Sequence, residues 1–257
     1  MCCARSSRTP TDGTARYAAE VFTPQGPTLR ELTVQALSSI EHGYDLLAPR
    51  FDQTPFRTPE RVLDAVTDAL EPLGPFGSGV DICCGTGAGA GVLRELCEKR
   101  VVGVDFSAGM LQVARAAEPD LDWVRADVRR LPFAPEFDLA VSFGAFGHFL
   151  PAERPELFAQ VHAALRPGGL FAFPVPAPPR VGSWPYWALW GFDATMRVRN
   201  ALLRPTFVMY YRTFPLPAVR AELEQAGFAV STVPLTTLGE LPDGAPRCRM
   251  VLARRFR

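Results

Sequence analysis

The sequence predicts an α/β fold, in which a seven-stranded, mostly parallel sheet carries helices on both faces. Three observations support this prediction. From residue 79 onward, short apolar runs alternate with segments of helical spacing, which is the rhythm of a parallel sheet with crossover helices. One apolar run, at residues 80–84, leads directly into glycines, as at a strand-to-helix turn. A chain of 257 residues, 47% of them hydrophobic, can also bury the core that this fold needs.

The individual elements follow from periodicity and from turn signals. Strands are predicted at residues 79–83, 100–105, 121–125, 137–142, 170–173, 228–233 and 248–254. Helices are predicted at residues 88–98, 107–117 and 215–226. A further helix is predicted because Leu157, Phe158, Val161 and Leu165 would share one apolar face. A turn is predicted at Pro167-Gly168-Gly169. Residues 174–214 break the alternation and are predicted to form an aromatic lid insertion before the sixth strand.

The segment before the first strand divides into two parts. Residues 1–28 are polar and are predicted to be disordered. Residues 29–74 are predicted to form a helical cap, whose second helix begins at Thr58-Pro59 because proline suits the first helical position. These helices can either cover the sheet or close over a ligand. Residues 75–257 are predicted to form the main domain.

Composition excludes several classes of function. Lys+Arg and Asp+Glu number 27 each, so no general positive field favours nucleic acid as a partner. No apolar run reaches the roughly 18 residues of a membrane span. Six cysteines without C-x-x-C pairs, and an N-terminus without an apolar signal segment, predict reduced thiols and a cytoplasmic location. The oligomeric state is not predicted.

The stretch "VDICCGTGAGA", residues 80–90, predicts a ligand-binding turn. A buried strand followed by three alternate glycines brings backbone N–H groups and a helix N-terminus against a ligand. The same glycines also fit a tight connection without a ligand. Asp105 and Asp127 follow the next two strands, where carboxylates can accept hydrogen bonds from ribose hydroxyls and from an adenine amino group. Two acids and a glycine turn therefore suit one adenosine.

These segments resemble the class I S-adenosylmethionine-dependent methyltransferases, especially the small-molecule branch that includes quinone-biosynthesis C-methyltransferases, with a methyltransferase type 11 domain. "VDICCGTGAGA", "VVGVDFSAGML", "RADVRRLPF", "FDLAVSFGAFGHF" and "LRPGG" look like five family motifs, in order and at the usual spacing. The resemblance covers residues 79–174 and the terminal helix and strands. It implies a Rossmann-like fold, S-adenosylmethionine as cofactor, S-adenosylhomocysteine as product and a small-molecule acceptor.

The resemblance also implies which residues contact the cofactor. They are Asp81, Cys83, Gly85 and Gly87 at the methionine end, Asp105 at the ribose, Phe106, Met110, Asp127 and the Val128 N–H at the adenine, and Phe143 after the fourth strand. Tyr44, in the cap, is expected either to close over the cofactor, as in some relatives, or to pack in the core.

Cys83 departs from the family pattern, which usually has glycine at this position. Cys83 and Cys84 are expected to be small, buried packing residues. A reactive thiol is disfavoured here because apolar burial raises the pKa of a thiol. The departure puts the strength of cofactor binding in question.

Two other functions stay open: a non-catalytic S-adenosylmethionine-binding scaffold or regulatory protein, and an NAD-dependent oxidoreductase. The sheet and the position of Asp105 suit a dinucleotide as well. However, a short-chain dehydrogenase would need Tyr-x-x-x-Lys, and the only lysine, Lys99, has Glu95 four residues before it. The absence of an obligatory catalytic residue leaves the scaffold possible.

His148 is the candidate general base. Methyl transfer from a sulfonium needs proximity, alignment and a deprotonated nucleophile, and a histidine can take a proton near neutral pH. The alternative is a structural histidine that bonds a loop carbonyl or the cofactor. "SFGAFGHF" contains no Asn/Asp-Pro-Pro-Tyr/Phe sequence, which disfavours the amino groups of nucleic-acid bases as acceptors. It also lacks the paired acids of a magnesium site. We therefore predict metal-independent methylation of a C or O atom of a small molecule.

The insertion predicts an apolar or aromatic acceptor, such as a quinone, a polyketide, a terpenoid or a lipid-like phenol. The residues expected to contact it are Trp184, Trp187, Trp190, Tyr210 and Tyr211. These aromatics could instead pack the lid on the sheet. Arg197, Arg199 and Arg204 suit an acidic acceptor group, peripheral membrane contact or simple solvation.

Overall fold

Seven strands form one sheet in a computed structural model that describes residues 44–45, 47–54, 57–203 and 215–256. The strands are β1 (Phe76–Ile82), β2 (Cys97–Asp105), β3 (Asp122–Arg125), β4 (Phe137–Val141), β5 (Leu165–Pro176), β6 (Phe228–Pro234) and β7 (Cys248–Arg255). Their order is β3-β2-β1-β4-β5-β7-β6, and β7 runs antiparallel to both of its neighbours. The predicted fold class is confirmed.

Helices cover both faces of this sheet. They are α1 (Glu60–Leu70), α2 (Ala88–Leu96), α3 (Ala108–Ala117), α4 (Arg154–Ala164), α5 (Trp184–Leu203) and α6 (Leu216–Gln225). One buried cluster joins the sheet to α1, α2 and α3, and a second joins it to α4 and α6. The parallel strands are therefore buried on both sides, as their apolar runs predict.

Several elements differ from the sequence prediction. β1 begins at Phe76 rather than at residue 79, and Leu165, predicted on a helical face, is the first residue of β5 because α4 ends at Ala164. β2 begins at Cys97, so α2 ends two residues earlier than predicted. The predicted turn at 167–169 lies within β5, where the register shifts and Gly168 takes a φ of +83°. The insertion contains α5, a helix of 20 residues in a segment without a predicted element.

Some predictions fall outside the described residues. These are the disordered N-terminus at residues 1–28, the cap helix before Tyr44, and the acceptor contacts Tyr210 and Tyr211. The described part of the cap includes a short 3-10 helix, Ala48–Gln53, and α1. Its closure over a cofactor stays a prediction.

Candidate functional site

The carboxyl ends of β1, β2 and β4 define the candidate site. β1 lies between β2 and β4, and the chain winds outward from β1 in opposite directions, so the strand order reverses between the loops after β1 and β4, where open α/β sheets have their crevice. Ligands of open α/β sheets bind in such crevices. The Ser142 hydroxyl donates to the Ile82 carbonyl at 2.8 Å and holds the two strand ends together.

The turn after β1 uses backbone conformations that favour glycine. Gly85 has a φ of +55°, and Gly87, which precedes α2, has a φ of +98°. A Cβ at Gly87 would lie 2.8 Å from the ring of Trp123, so this position also needs glycine for space. Trp123, which the motifs do not mark, packs against the turn and donates from Nε1 to the Glu118 carbonyl at 2.9 Å.

Asp81, near the end of β1, is a buried carboxylate. The residue is 1% exposed, and neither oxygen has a hydrogen-bond partner among the described residues. Burial raises the pKa of Asp81 well above the ordinary carboxyl value, and the Asp105 carboxylate adds to the shift. The N–H groups of Ala90 and Gly89 offset part of it without reaching hydrogen-bond geometry. A cationic group in the crevice would relieve this cost.

Asp105 connects the loops after β1 and β2. One oxygen accepts from the Gly85 N–H and the other from the Ser107 N–H, both at 2.9 Å. Burial raises the pKa of Asp105, and these N–H groups oppose the shift. Each oxygen of a carboxylate has two lone pairs, so Asp105 can brace the glycine turn and still accept from a ribose.

Residues on both sides of Asp105 shape the predicted adenine contacts. Phe106 is half-buried, and its ring lies 6.4 Å from that of Tyr44. Met110 is fully buried in the first turn of α3, and its N–H donates to the Ser107 hydroxyl at 3.1 Å. Asp45 accepts from that hydroxyl at 2.6 Å and from the Gly109 N–H at 2.8 Å, so the cap segment docks on this helix end.

Asp127 is bound by Arg129, which lies in the same motif but has no predicted role. Its oxygens accept from the backbone N–H of Arg129 at 2.9 Å and from the guanidinium at 2.7 Å. The hydrogen bond from the Arg129 guanidinium lowers the pKa of the Asp127 carboxyl. The same guanidinium pairs with Glu153 at 2.8 Å. Val128, which follows Asp127 in the chain, is buried in the core. Contact of Asp127 or of the Val128 N–H with adenine stays a prediction.

Cys83 and Cys84 are held as neutral thiols. Burial raises the pKa of both well above the ordinary thiol value, and the carboxylates of Asp81 and Asp105 add to the shift. Cys83 also packs against the core cluster of α4 and α6. These surroundings favour the thiol over the thiolate, the form needed for nucleophilic attack.

Cys83 has a φ of +58°, the left-handed region in which the family usually has glycine. This conformation costs a residue with a Cβ about 1–2 kcal/mol. We therefore expect Cys83→Gly to have a free energy of unfolding about 1 kcal/mol higher than that of Cys83→Ala, measured by urea denaturation. Equal stability of the two variants would contradict the assigned strain.

Tyr44 bridges the two loops that flank the end of β1. Its hydroxyl oxygen lies 2.5 Å from Nε2 of His148, and the two rings lie 5.4 Å apart. On its other side Tyr44 contacts Phe106, which follows β2, and Phe51 of the cap segment. Thr86 of the glycine turn donates to Asp52 of the same segment at 2.6 Å. The described cap segment thus contacts the loops after β1, β2 and β4.

The remaining described residues that were predicted to contact the cofactor (Phe143) or the acceptor (the three tryptophans) lie in different surroundings. Phe143 is half-buried against the core cluster of α1, α2 and α3. Trp184, Trp187 and Trp190 on α5 are exposed to 74%, 53% and 49%. Trp187 contacts Trp190, with ring centroids 6.0 Å apart. Their contact with an acceptor stays a prediction.

The residues at the crevice fit S-adenosylmethionine, which the resemblance implies. The ammonium group of its methionine moiety matches the carboxylate of Asp81, which has no partner in the described part of the chain, and its ribose matches the remaining lone pairs of Asp105. The turn at Gly85 and Gly87 presents bare backbone between them. Among the described residues, no three His, Cys, Asp or Glu side chains are grouped to hold a metal ion.

Gly89, in the first turn of α2, leaves open the space beside Asp81. A Cβ at this position would lie 2.6 Å from Oδ2 of Asp81. We expect Gly89→Ala to weaken S-adenosylmethionine binding by at least about tenfold in titration calorimetry, because the carboxylate must move from its place.

Gly91→Ala is the matched control, because a Cβ there would meet nothing within 4 Å. It should keep the affinity and raise the free energy of unfolding by up to about 1 kcal/mol through helix propensity. Equal affinities in the two variants would contradict the role assigned to Gly89.

Known methyltransferases resemble this chain in sequence and in fold. Residues 80–169 match the methyltransferase domain family. A trans-aconitate 2-methyltransferase from Azoarcus sp. is 39% identical over 109 residues, which cover 42% of this chain and 42% of that protein. A 2-phytyl-1,4-naphtoquinone methyltransferase from Nostoc punctiforme is 31% identical over 172 residues, 60% of this chain and 72% of that protein.

A solved S-adenosylmethionine-dependent methyltransferase from Mesorhizobium loti superposes with a TM-score of 0.51 at 29% identity, over 75% of this chain and 100% of that chain. This chain belongs to the class I S-adenosylmethionine-dependent methyltransferases. The match spans about two fifths of the length of the trans-aconitate 2-methyltransferases. The acceptors named for these relatives are therefore assigned to the relatives alone.

Proposed function

We propose that this protein transfers a methyl group from S-adenosylmethionine to a carbon or oxygen atom of a small apolar or aromatic acceptor. The observation that carries the proposal is the buried carboxylate of Asp81 beside the glycine turn, which has no hydrogen-bond partner among the described residues. There it would bind the ammonium group of the cofactor and fix its orientation. S-adenosylmethionine supplies an electrophilic methyl group when bound, so the chain must orient the acceptor and remove a proton from it.

The pair formed by Tyr44 and His148 would remove that proton. With Nε2 of a neutral His148 unprotonated, the Tyr44 hydroxyl donates to it across the 2.5 Å contact. As an acceptor hydroxyl gives its proton to Tyr44 Oη, Tyr44 passes its own proton to His148, which becomes an imidazolium. The acceptor is left as a phenolate, which is nucleophilic at oxygen and at ring carbons. The same pair therefore serves O- and C-methylation.

Two features favour a flat, apolar acceptor. Tyr44 stands among aromatic rings, with centroids of Phe51 and Phe106 at 6.3 and 6.4 Å. The insertion is also rich in aromatic residues, with nine of them in the sequence 184–214. The rings around Tyr44 can bury an aromatic acceptor at a favourable free energy and stack on its faces. The hydroquinone form of the quinone named for the Nostoc punctiforme relative is one molecule of this kind, since its hydroxyl groups can give up a proton.

An acceptor panel tests the proposal. The purified protein is mixed with S-adenosylmethionine and either an alkylated naphthohydroquinone or trans-aconitate, and S-adenosylhomocysteine is measured by mass spectrometry. We expect faster formation with the hydroquinone, and no loss when EDTA is added. Faster turnover of trans-aconitate would overturn the acceptor class. Cofactor binding without turnover across a wider panel of phenols and quinones would favour a scaffold.

A further inference from the structure

α5 presents an aromatic surface to the outside of the protein. Trp184, Trp187 and Trp190 follow one another at intervals of three residues, which keeps them on one side of the helix at about 100° per residue. All three are exposed, and Val198 on the same side is 59% exposed. Asp193 is buried, so α5 meets the protein on a different side.

Ring contacts join part of this surface. The ring of Trp187 lies 6.0 Å from that of Trp190 and 5.3 Å from that of Tyr186. Single exposed apolar residues are common on proteins and carry no meaning, whereas a contiguous exposed apolar patch marks an interaction site. The described part of the insertion thus holds an aromatic patch that needs an occupant.

Composition indicates which occupant fits. The whole chain has equal numbers of basic and acidic residues, but residues 184–214 contain four Arg and one Asp. The same segment holds three of the four Trp residues and three of the five Tyr residues of the chain. Tryptophan and tyrosine concentrate at membrane interfaces, and an arginine excess is attracted to anionic headgroups.

The other occupants fit less well. A second copy docked through the same patch would bring two arginine-rich segments together, and like charges in a two-fold contact repel. A membrane-spanning role is also disfavoured, since no described helix combines the length and hydropathy to cross a bilayer. A helix with exposed tryptophans and flanking arginines instead suits the plane of the interface.

We infer that the aromatic patch of α5, comprising Trp184, Trp187, Trp190 and Val198, docks this protein on the surface of an anionic phospholipid bilayer. This inference goes beyond methyl transfer, because it needs neither the cofactor nor the acceptor. It also deepens the proposed function, since a lipid-soluble acceptor is found at that surface. The two can fail separately.

Vesicle sedimentation tests the inference. The full chain is mixed with phosphatidylcholine vesicles with or without phosphatidylglycerol, at low and high salt. We expect binding to the anionic vesicles that weakens with salt, together with a blue shift of tryptophan emission. The double variant Trp184→Ser, Trp187→Ser should bind at least about tenfold more weakly. Phe256→Ser, which removes an aromatic ring that is 63% exposed after β7, should bind like the wild type.

Four results would overturn the inference. The first is a wild type that does not sediment with anionic vesicles. The second is a folded double variant, checked by circular dichroism, that binds as well as the wild type. The third is a dimer in light scattering that the same double variant dissociates, because the patch would then bind a second copy. Loss of binding in both the double variant and Phe256→Ser would also count against it.

Discussion

Tyr44→Phe and His148→Ala are each expected to lower kcat by roughly 10–100-fold, with the dissociation constant of S-adenosylmethionine nearly unchanged. The reason is the 2.5 Å contact between the Tyr44 hydroxyl and Nε2 of His148, which in the proposed mechanism makes the two side chains one path for the proton. Removal of either end breaks the whole path. The double variant should therefore be slower than the worse single variant by no more than about threefold.

Steady-state kinetics with the best acceptor of the panel, together with cofactor titration, measure these effects. Added imidazole should partly restore His148→Ala, because it can supply the missing base in the space that opens. His162→Gln is the matched control, since that imidazole lies on α4 against Phe228, away from the crevice. Independent, multiplying losses in the double variant, without rescue by imidazole, would assign both side chains a structural role.

Asp81→Asn is expected to stabilise the protein and disable its cofactor site at the same time. When it is ionised, Asp81 is a buried charge without a partner among the described residues. The amide removes that charge, so the free energy of unfolding should rise by roughly 2 kcal/mol without cofactor. The affinity for S-adenosylmethionine should fall at least about 30-fold, because its ammonium group loses its counter-ion.

The raised pKa of Asp81 fixes the direction of the pH dependence. A carboxyl whose pKa is higher in the folded protein contributes stability below its unfolded pKa, and this contribution is lost as the pH rises through the folded pKa. Cofactor affinity should change in the opposite direction and increase over the same window, since pairing needs the carboxylate. Urea unfolding and calorimetry across this window measure both slopes, and Asp81→Asn should flatten both.

An Asp81→Asn variant that binds S-adenosylmethionine like the wild type would contradict this account of the site. Asp105→Ala is a less direct test of cofactor contact. Its carboxylate also holds the Gly85 N–H, so the substitution would release the glycine turn itself. A loss of affinity in Asp105→Ala would combine the lost contact with the ribose and the release of the turn.

The fold was predictable because its signals are local. Each βα unit has its own apolar run, and the seven strands follow from these runs. A glycine or an acidic residue marks the end of several of the strands. α5 was missed because Pro185 and Gly191 are helix-breaking signals and aromatic residues favour strands. Pro185 is nevertheless the second residue of α5, where a missing N–H costs nothing.

The contacts of the cap were not predictable, because they join residues far apart in sequence. Tyr44 and His148 are separated by 104 positions, and Asp45 and Ser107 by 62. No periodicity or spacing links such pairs, and both depend on where the cap packs on the finished sheet. The motifs indicated Asp81 and Asp105, but only the structure shows that the first lacks a described partner while the second braces the turn.

The most direct test of the central claim is calorimetric titration of the purified protein with S-adenosylmethionine and, separately, with NAD. Our account predicts saturable binding of S-adenosylmethionine that Asp81→Asn weakens and Gly91→Ala preserves, and no binding of NAD. Binding of NAD alone, or no binding of S-adenosylmethionine by a folded wild type, would contradict the assignment of the crevice as an S-adenosylmethionine site.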